Sequence, residues 1–288
     1  MDEVRQRLVC IHSCQGIGWK TIYKFIKFDS SLRLIFSLKE HEFSELFQMN
    51  GKNAKLFYRD LHSKSYDQLN REYDQKKIHL LVIGDEIYPP LLKQIYDPPW
   101  VLYVKGKIEL LQGKCFSVVG TRNATKYGYN ALNKIVPRLI ENHWIIVSGL
   151  AAGIDTEAHR IAIRENGKTI AILGSGFEHI YPPQNKILAE EISSNHLLIS
   201  EFPPNKKPEK WHFPLRNRII SGIAKGTLII EAKVRSGSLI TAEQALEQGR
   251  DVFAIPGSIF DANSQGTNHL IQQGAKLVID ANDIMQEL

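Results

Sequence analysis

From Cys115 onward, short apolar runs alternate regularly with stretches of helical periodicity, and this alternation constrains the fold more than any other feature. Strands are read near 115–119, 144–148, 168–173, 196–200, 227–231, 251–255 and 276–279. Helices are read near 125–142, 154–166, 184–194, 214–224, 238–248 and 267–273. Runs such as Ile170-Ala171-Ile172-Leu173 are apolar at every position. A strand with one wet face would alternate, so these strands are expected to be buried on both faces. Strand, crossover helix and strand in succession predict βαβ units and a doubly wound parallel sheet of the α/β class.

The chain before Cys115 reads differently. Its first ~75 residues carry helical spacing in Val4-Leu8-Ile11, Ile22-Phe25-Ile26 and Leu32-Ile35-Phe36. Between two of these runs lies Gly16-Ile17-Gly18, where two glycines let helices meet at a tight angle. That turn resembles the hairpin of helix-hairpin-helix domains, whose backbone N–H groups hold a DNA phosphate, and it also fits a plain connector. Polar residues 65–79 mark a boundary, giving an all-helical domain over 1–74 and a sheet domain over 75–288. Strands near 79–83 and 101–104 flank an irregular addition from Tyr88-Pro89-Pro90 to Pro98-Pro99-Trp100.

Composition excludes several classes. Of 288 residues, 43% are hydrophobic and 23% charged, as in ordinary globular chains. No apolar run approaches the ~18 residues of a membrane span. Met1-Asp2-Glu3-Val4-Arg5 is not a secretory start, so a soluble cytoplasmic protein with no membrane partner is expected. Thirty-six basic against 31 acidic residues give +5, which permits nucleic acid without demanding it. Cys10, Cys14 and Cys115 are too few and odd in number for a disulfide framework. Cys10 and Cys14 share a helix face, but zinc would need two more ligands and only His12 is near; helix packing is expected.

In an open parallel sheet, ligands bind beyond the carboxyl ends of the strands. The exits are Gly120-Thr121-Arg122, Ser148-Gly149-Leu150-Ala151-Ala152-Gly153, Gly174-Ser175-Gly176 and Lys233-Val234-Arg235-Ser236-Gly237-Ser238. Four glycine- or serine-rich exits on one edge, two with arginine, predict a phosphate-binding face. The dinucleotide fingerprint fails, because Gly174-Ser175-Gly176 lacks its third glycine, and no P-loop occurs. No catalytic cofactor is therefore expected. Phe202 to Arg218 holds Lys206, Lys207, Lys210, Arg216 and Arg218 against Glu209, interleaved with Trp211, His212 and Phe213. Cations that track phosphates beside rings that stack on unpaired bases are what single-stranded nucleic acid requires. Asp155 and His159, four apart on a helix, could pair or hold a metal, and more simply order the helix start. No G-x-S-x-G elbow occurs.

These motifs, taken in order, resemble the bacterial DNA-processing protein A family (DprA/Smf). The resemblance is carried by Ser117-Val118-Val119-Gly120-Thr121-Arg122, Ser148 through Asp155, Phe213-Pro214-Leu215-Arg216-Asn217-Arg218, Arg235-Ser236-Gly237-Ser238 and Ile255-Pro256-Gly257. It implies a Rossmann-like sheet domain after a helical SAM-like or helix-hairpin-helix domain. It implies a non-enzymatic role: binding and protecting single-stranded DNA in natural transformation, and loading the RecA recombinase through single-strand-binding protein, as a homodimer. Carried over by motif, the DNA-binding residues are Arg122, Ser148, Gly149, Lys210, Phe213, Asn217 and Arg218. Ala152 stands where the family often has an arginine, so one cation is expected to be missing. The chain ends soon after Ala281-Asn282-Asp283, and the winged-helix module of many members is expected to be absent. The alternative is a nucleotide-processing enzyme at the same strand edge, with Glu201, Asp155 or Glu231 acting on a glycosidic or phosphate bond.

Overall fold

The structure is a computed structural model that describes residues 2–288. Its contacts divide the chain into two compact units: the chain up to Glu86 with Pro99–Tyr103, and Ile87–Pro98 with Val104–Leu288. The expected boundary at 74/75 falls inside a helix. The polar stretch 65–79 forms that helix and the start of a strand, because its Leu69 and Tyr73 are buried at helical spacing.

The smaller unit contains α1 (Asp2–Ser13), α2 (Trp19–Phe28), α3 (Glu40–Phe47), α4 (Gly51–Leu61), α5 (Tyr66–Gln75) and the strand β1 (His79–Val82). Phe25, Phe43 and Phe57 are fully buried and meet edge-on or tilted, with centroids 5.1–6.0 Å apart. Asn50 and Ser65 cap α4 and α5 by accepting from Asn53 N–H (2.8 Å) and Gln68 N–H (3.3 Å). Gly16 has φ +82°, and a Cβ there would lie 2.6 Å from the Asn53 carbonyl, so the turn after α1 demands glycine on both counts. Cys10 and Cys14 are buried side by side, the Cys14 thiol donating to the Cys10 carbonyl at 3.2 Å. Burial pushes the Cys10 thiol up to about 11. Among the described residues no three His, Cys, Asp or Glu side chains group as metal ligands.

The one-turn α6 (Pro90–Lys93) and β2 (Val101–Gly106) follow. The larger unit then alternates through β3 (Cys115–Val119), α7 (Lys126–Glu141), β4 (Ile145–Ser148), α8 (Ile154–Arg164), β5 (Thr169–Leu173), α9 (Lys186–Asn195), β6 (Leu197–Ser200), α10 (His212–Ile223), β7 (Gly226–Ile229), α11 (Gly237–Glu247), β8 (Asp251–Ala254), α12 (Gln265–Gln272), β9 (Lys276–Leu277) and α13 (Asn282–Met285). Every strand expected from the sequence forms, with ends shifted by a few residues. Within this unit the strands run parallel in the order β6-β5-β4-β3-β7-β8-β9. Strands β3 to β7 are buried at every position, as their continuous apolar runs predict. The chain winds outward from β3 to β6, then crosses back to place β7 on the other side of β3. That reversal opens a crevice beyond the carboxyl ends of β3 and β7. No helix of the described residues is long and apolar enough to cross a membrane.

Candidate nucleic-acid interface

A cleft of about 700 Å³ occupies this crevice. The loop after β3 supplies Gly120 to Arg122, the loop after β7 supplies Lys233 to Ser238, and α10 supplies Phe213, Pro214, Arg216 and Asn217. Backbone bonds stitch the loops together: Thr121 N–H donates to Glu231 O (2.8 Å) and Ile154 N–H to Thr121 O (3.2 Å). The Glu231 carboxylate accepts from Thr125 N–H (2.9 Å) and Thr125 Oγ1 (2.5 Å), fixing the entry to α7. At Gly120 a Cβ would lie 2.7 Å from Ile154, so glycine there serves the close approach of loop and helix.

Beneath the cleft lies a buried charge pair without direct contact. The Arg216 guanidinium donates to the carbonyls of Gly149 and Ile172, and through Nε to Asn217 Oδ1 at 3.1 Å. Burial lowers its pKa to about 10, with Asp155 opposing and Arg122 reinforcing that shift. Burial likewise raises the Asp155 carboxyl, opposed by Arg216 and by the N–H groups of Ala151, Gly149 and Gly120. Asp155 is thus a buried anchor for the β4–α8 loop, holding Gly149 N–H at 3.1 Å.

On this floor stands Phe213, half-buried, its ring tilted at 51° to Tyr181 with centroids 5.4 Å apart. The Arg122 guanidinium lies over the same ring, 5.8 Å from its centroid. Lys210, Lys233 and Arg235 are exposed around the rim. Four of the seven residues carried over by motif therefore meet in the cleft: Arg122, Lys210, Phe213 and Asn217.

The other three do not line it. Ser148 is fully buried and donates its hydroxyl to Val118 O at 2.7 Å. Gly149 spends its N–H on Asp155 and its carbonyl on Arg216. A Cβ at Gly149 would lie 2.5 Å from the Arg216 guanidinium carbon, which is why the position is glycine. Arg218 is 3% exposed and points away, gripping Glu201 through Nη2 at 2.6 and 2.7 Å, with its Nε 3.2 Å from Asp97. The basic-aromatic stretch also splits. Lys206 pairs with Glu209 at 2.7 Å, and exposed Trp211 donates to the same carboxylate at 2.8 Å. Sequence reasoning missed Tyr181, which carried no signal, and Lys233 and Arg235, whose signal was two cations in a singled-out strand exit.

The side chains of the alternative reading are committed elsewhere. Glu201 holds Arg218, Glu231 holds Thr125, and Asp155 holds Gly149. His159 does not pair with Asp155. Its Nδ1 lies 2.6 Å from Thr169 Oγ1, which itself donates to Ile146 O, and burial lowers the imidazole to about 3.

Comparison with known proteins identifies the family of the chain and its fold. A family model described as DNA recombination-mediator protein A matches residues 79–288. The DNA processing protein DprA of Bacillus subtilis is 50% identical over 75% of this chain and 73% of its own length. That of Streptococcus pneumoniae is 49% identical over 76% of this chain and 77% of its own. The X-ray structure of the Streptococcus pneumoniae protein superposes with a TM-score of 0.83 at 40% identity, covering 98% of this chain and 96% of that one. DNA processing protein A of Helicobacter pylori, whose structure is described as giving insight into a unique single-stranded DNA binding mode, superposes with a TM-score of 0.67 at 29% identity over 73% of this chain and 95% of that one. With its sheet domain matched throughout and relatives this similar over three quarters of its length, the chain belongs to the DNA recombination-mediator protein A family.

Proposed function

We propose that the protein binds single-stranded DNA along this cleft with little sequence preference, as a mediator rather than an enzyme. The observation that carries the reading is the ring of Phe213, set half-exposed under Arg122 among Lys210, Lys233 and Arg235. None of these four cations has an ion-pair partner among the described residues. Phosphates meet uncompensated charge, and an unpaired base meets a ring held in place from below. The relatives named DNA processing protein DprA, and the single-strand binding mode described for the Helicobacter pylori protein, support the same reading.

In the cell, this activity serves natural transformation: the protein shields incoming single strands in the cytoplasm and helps RecA displace single-strand-binding protein. Two copies pair through the exposed β9 edge, where Leu277 and Ile279 are 41% and 62% exposed, so one strand is held bivalently. An enzymatic reading is disfavoured because Glu201, Asp155 and Glu231 are each occupied in holding the fold.

Fluorescence anisotropy with labelled single- and double-stranded oligonucleotides tests the reading. Single strands bind tighter, and log affinity falls with log salt by about 0.7 per phosphate contacted. Equal affinity for duplex at moderate salt refutes it. DNA stays intact with magnesium or manganese; cleavage lost in Asp155→Ala or Glu231→Ala restores the enzyme.

A further inference from the structure

Beyond Tyr181 the sheet edge carries a second basin, of about 490 Å³, that the reading above leaves unused. Tyr181 is 46% exposed and belongs to the walls of both cavities. The far wall is Tyr129, on the first turn of α7 and 37% exposed. The near wall comes from α8, which presents Glu157 and Arg160.

The floor is built rather than incidental. Asn185 is buried and donates through Nδ2 to Leu150 O (2.8 Å) and Thr156 Oγ1 (2.7 Å), and Thr156 Oγ1 donates to Ala151 O (2.6 Å). These bonds pin the segment bearing Tyr181 against the start of α8.

The charges in the basin are sorted. Glu157 lies 3.8 Å from Arg164, and Arg164 also donates to Asn133 Oδ1 at 2.7 Å and to Glu165 at 3.2 Å. The Arg160 side chain, one turn from Thr156 on the same helix face, makes no hydrogen bond or ion pair among the described residues. The basin thus offers one uncommitted cation between two half-exposed tyrosine rings. It continues directly from a cleft that offers uncommitted cations around a phenylalanine ring.

We propose that this basin is a second nucleotide subsite, occupied by the continuation of the strand held in the main cleft. Tyr181 stands between the two as a stacking post, Tyr129 stacks the next base, and Arg160 takes a backbone phosphate. This inference rests on the reading of the main cleft as a single-strand site. It extends that site along α8 and sets how long a strand one subunit occupies.

A length series of thymidine oligomers from about 4 to about 16 nucleotides tests it, read by anisotropy on the intact protein. Wild-type affinity rises with length and then levels off. Arg160→Ala matches wild type on the shortest oligomers and levels off earlier. On the longest it binds roughly threefold to tenfold more weakly, with a salt slope flatter by about 0.7. Tyr129→Ala shows the same length dependence with the slope unchanged, because a ring carries no charge. The proposal is overturned if Arg160→Ala follows wild type at every length, or is weakened equally at every length. It is also overturned if thymidine monophosphate binds in an Arg160-dependent way while oligomer length has no effect. Arg122→Ala separates the two failures. If Arg122→Ala weakens binding at all lengths and Arg160→Ala at none, the main cleft stands and the second subsite falls. If Arg122→Ala binds like wild type throughout, the main cleft itself is misread and the subsite falls with it.

Discussion

Arg218 gives the sharpest test of the site's geometry, because its motif and its placement predict opposite phenotypes. As a phosphate ligand it would contribute to binding and little to stability. In the structure it is 3% exposed, with both Glu201 oxygens within 2.7 Å of Nη2 and Asp97 3.2 Å from Nε. Arg218→Ala leaves the buried Glu201 carboxylate without its cation, which costs about 3–5 kcal/mol. For a unit of this size that lowers the melting temperature by roughly 6–20 °C. The loss depends on pH in a definite direction. Burial already raises the Glu201 carboxyl above its ordinary value against the pull of Arg218, and removing Arg218 raises it further. A carboxyl whose folded pKa exceeds its unfolded one stabilises the fold below the unfolded value, and that contribution is lost as pH rises through the folded value. The variant is therefore closest to wild type near pH 4 and furthest from it at neutral pH. Glu201→Gln combined with Arg218→Met removes both charges and recovers much of the loss. Calorimetry across pH reads stability. Anisotropy below the variant's melting range reads DNA, where the salt slope stays at the wild-type value. An unchanged melting temperature with a slope flatter by about 0.7 would show Arg218 on a phosphate and refute the placement.

Other outcomes follow from the same geometry. Lys210→Ala, an exposed rim cation, weakens binding to all sequences and flattens the salt slope by about 0.7, with melting unchanged. Phe213→Ala loses stacking worth about 1–3 kcal/mol at an unchanged slope. It melts earlier too, but by less than the about 3–5 kcal/mol of a full core aromatic, because its ring is only half-buried. Gly149→Ala drives a methyl into the Arg216 guanidinium and destabilises by about 1–3 kcal/mol; melting like wild type would mean the floor is softer than drawn. His159, lowered to about 3 by burial, lends stability that is complete above an unfolded value of about 6.5 and lost as pH falls toward 3. His159→Gln therefore melts with a shallower acid dependence than wild type, and an unchanged acid limb would count against that burial.

The sheet was legible because its signals are local. Continuous apolar runs specify strands buried on both faces, and glycine at a strand exit specifies a tight loop. Both are read within a few residues, and both place the cleft. What each exit does with its groups is not local. Ser148 and Gly149 were read as offering backbone to DNA, yet their groups are taken up by Val118, Asp155 and Arg216, which come from three other segments. Spacing along the chain does not report who occupies a hydrogen bond.

The error over Arg218 has a more specific cause. In Arg216-Asn217-Arg218 the two arginines lie about 200° apart around a helix, so a single cleft can take only one of them. Phe213 decides which, because residues three and four beyond it share its face while the fifth turns away. Arg216 and Asn217 accordingly line the cleft beside Phe213, and Arg218 faces Glu201 and Asp97. That phase was present in the sequence but hidden by a misplaced boundary. The helix was expected from Pro214, leaving Phe213 in a loop, whereas it begins at His212 with Pro214 in its first turn. Proline is tolerated there because the first-turn N–H groups have no intrahelical partner to lose. Two residues of helix start thus decide whether Phe213 has a fixed phase to the arginines that follow: on the helix it shares the cleft face with Arg216 and leaves Arg218 on Glu201 and Asp97.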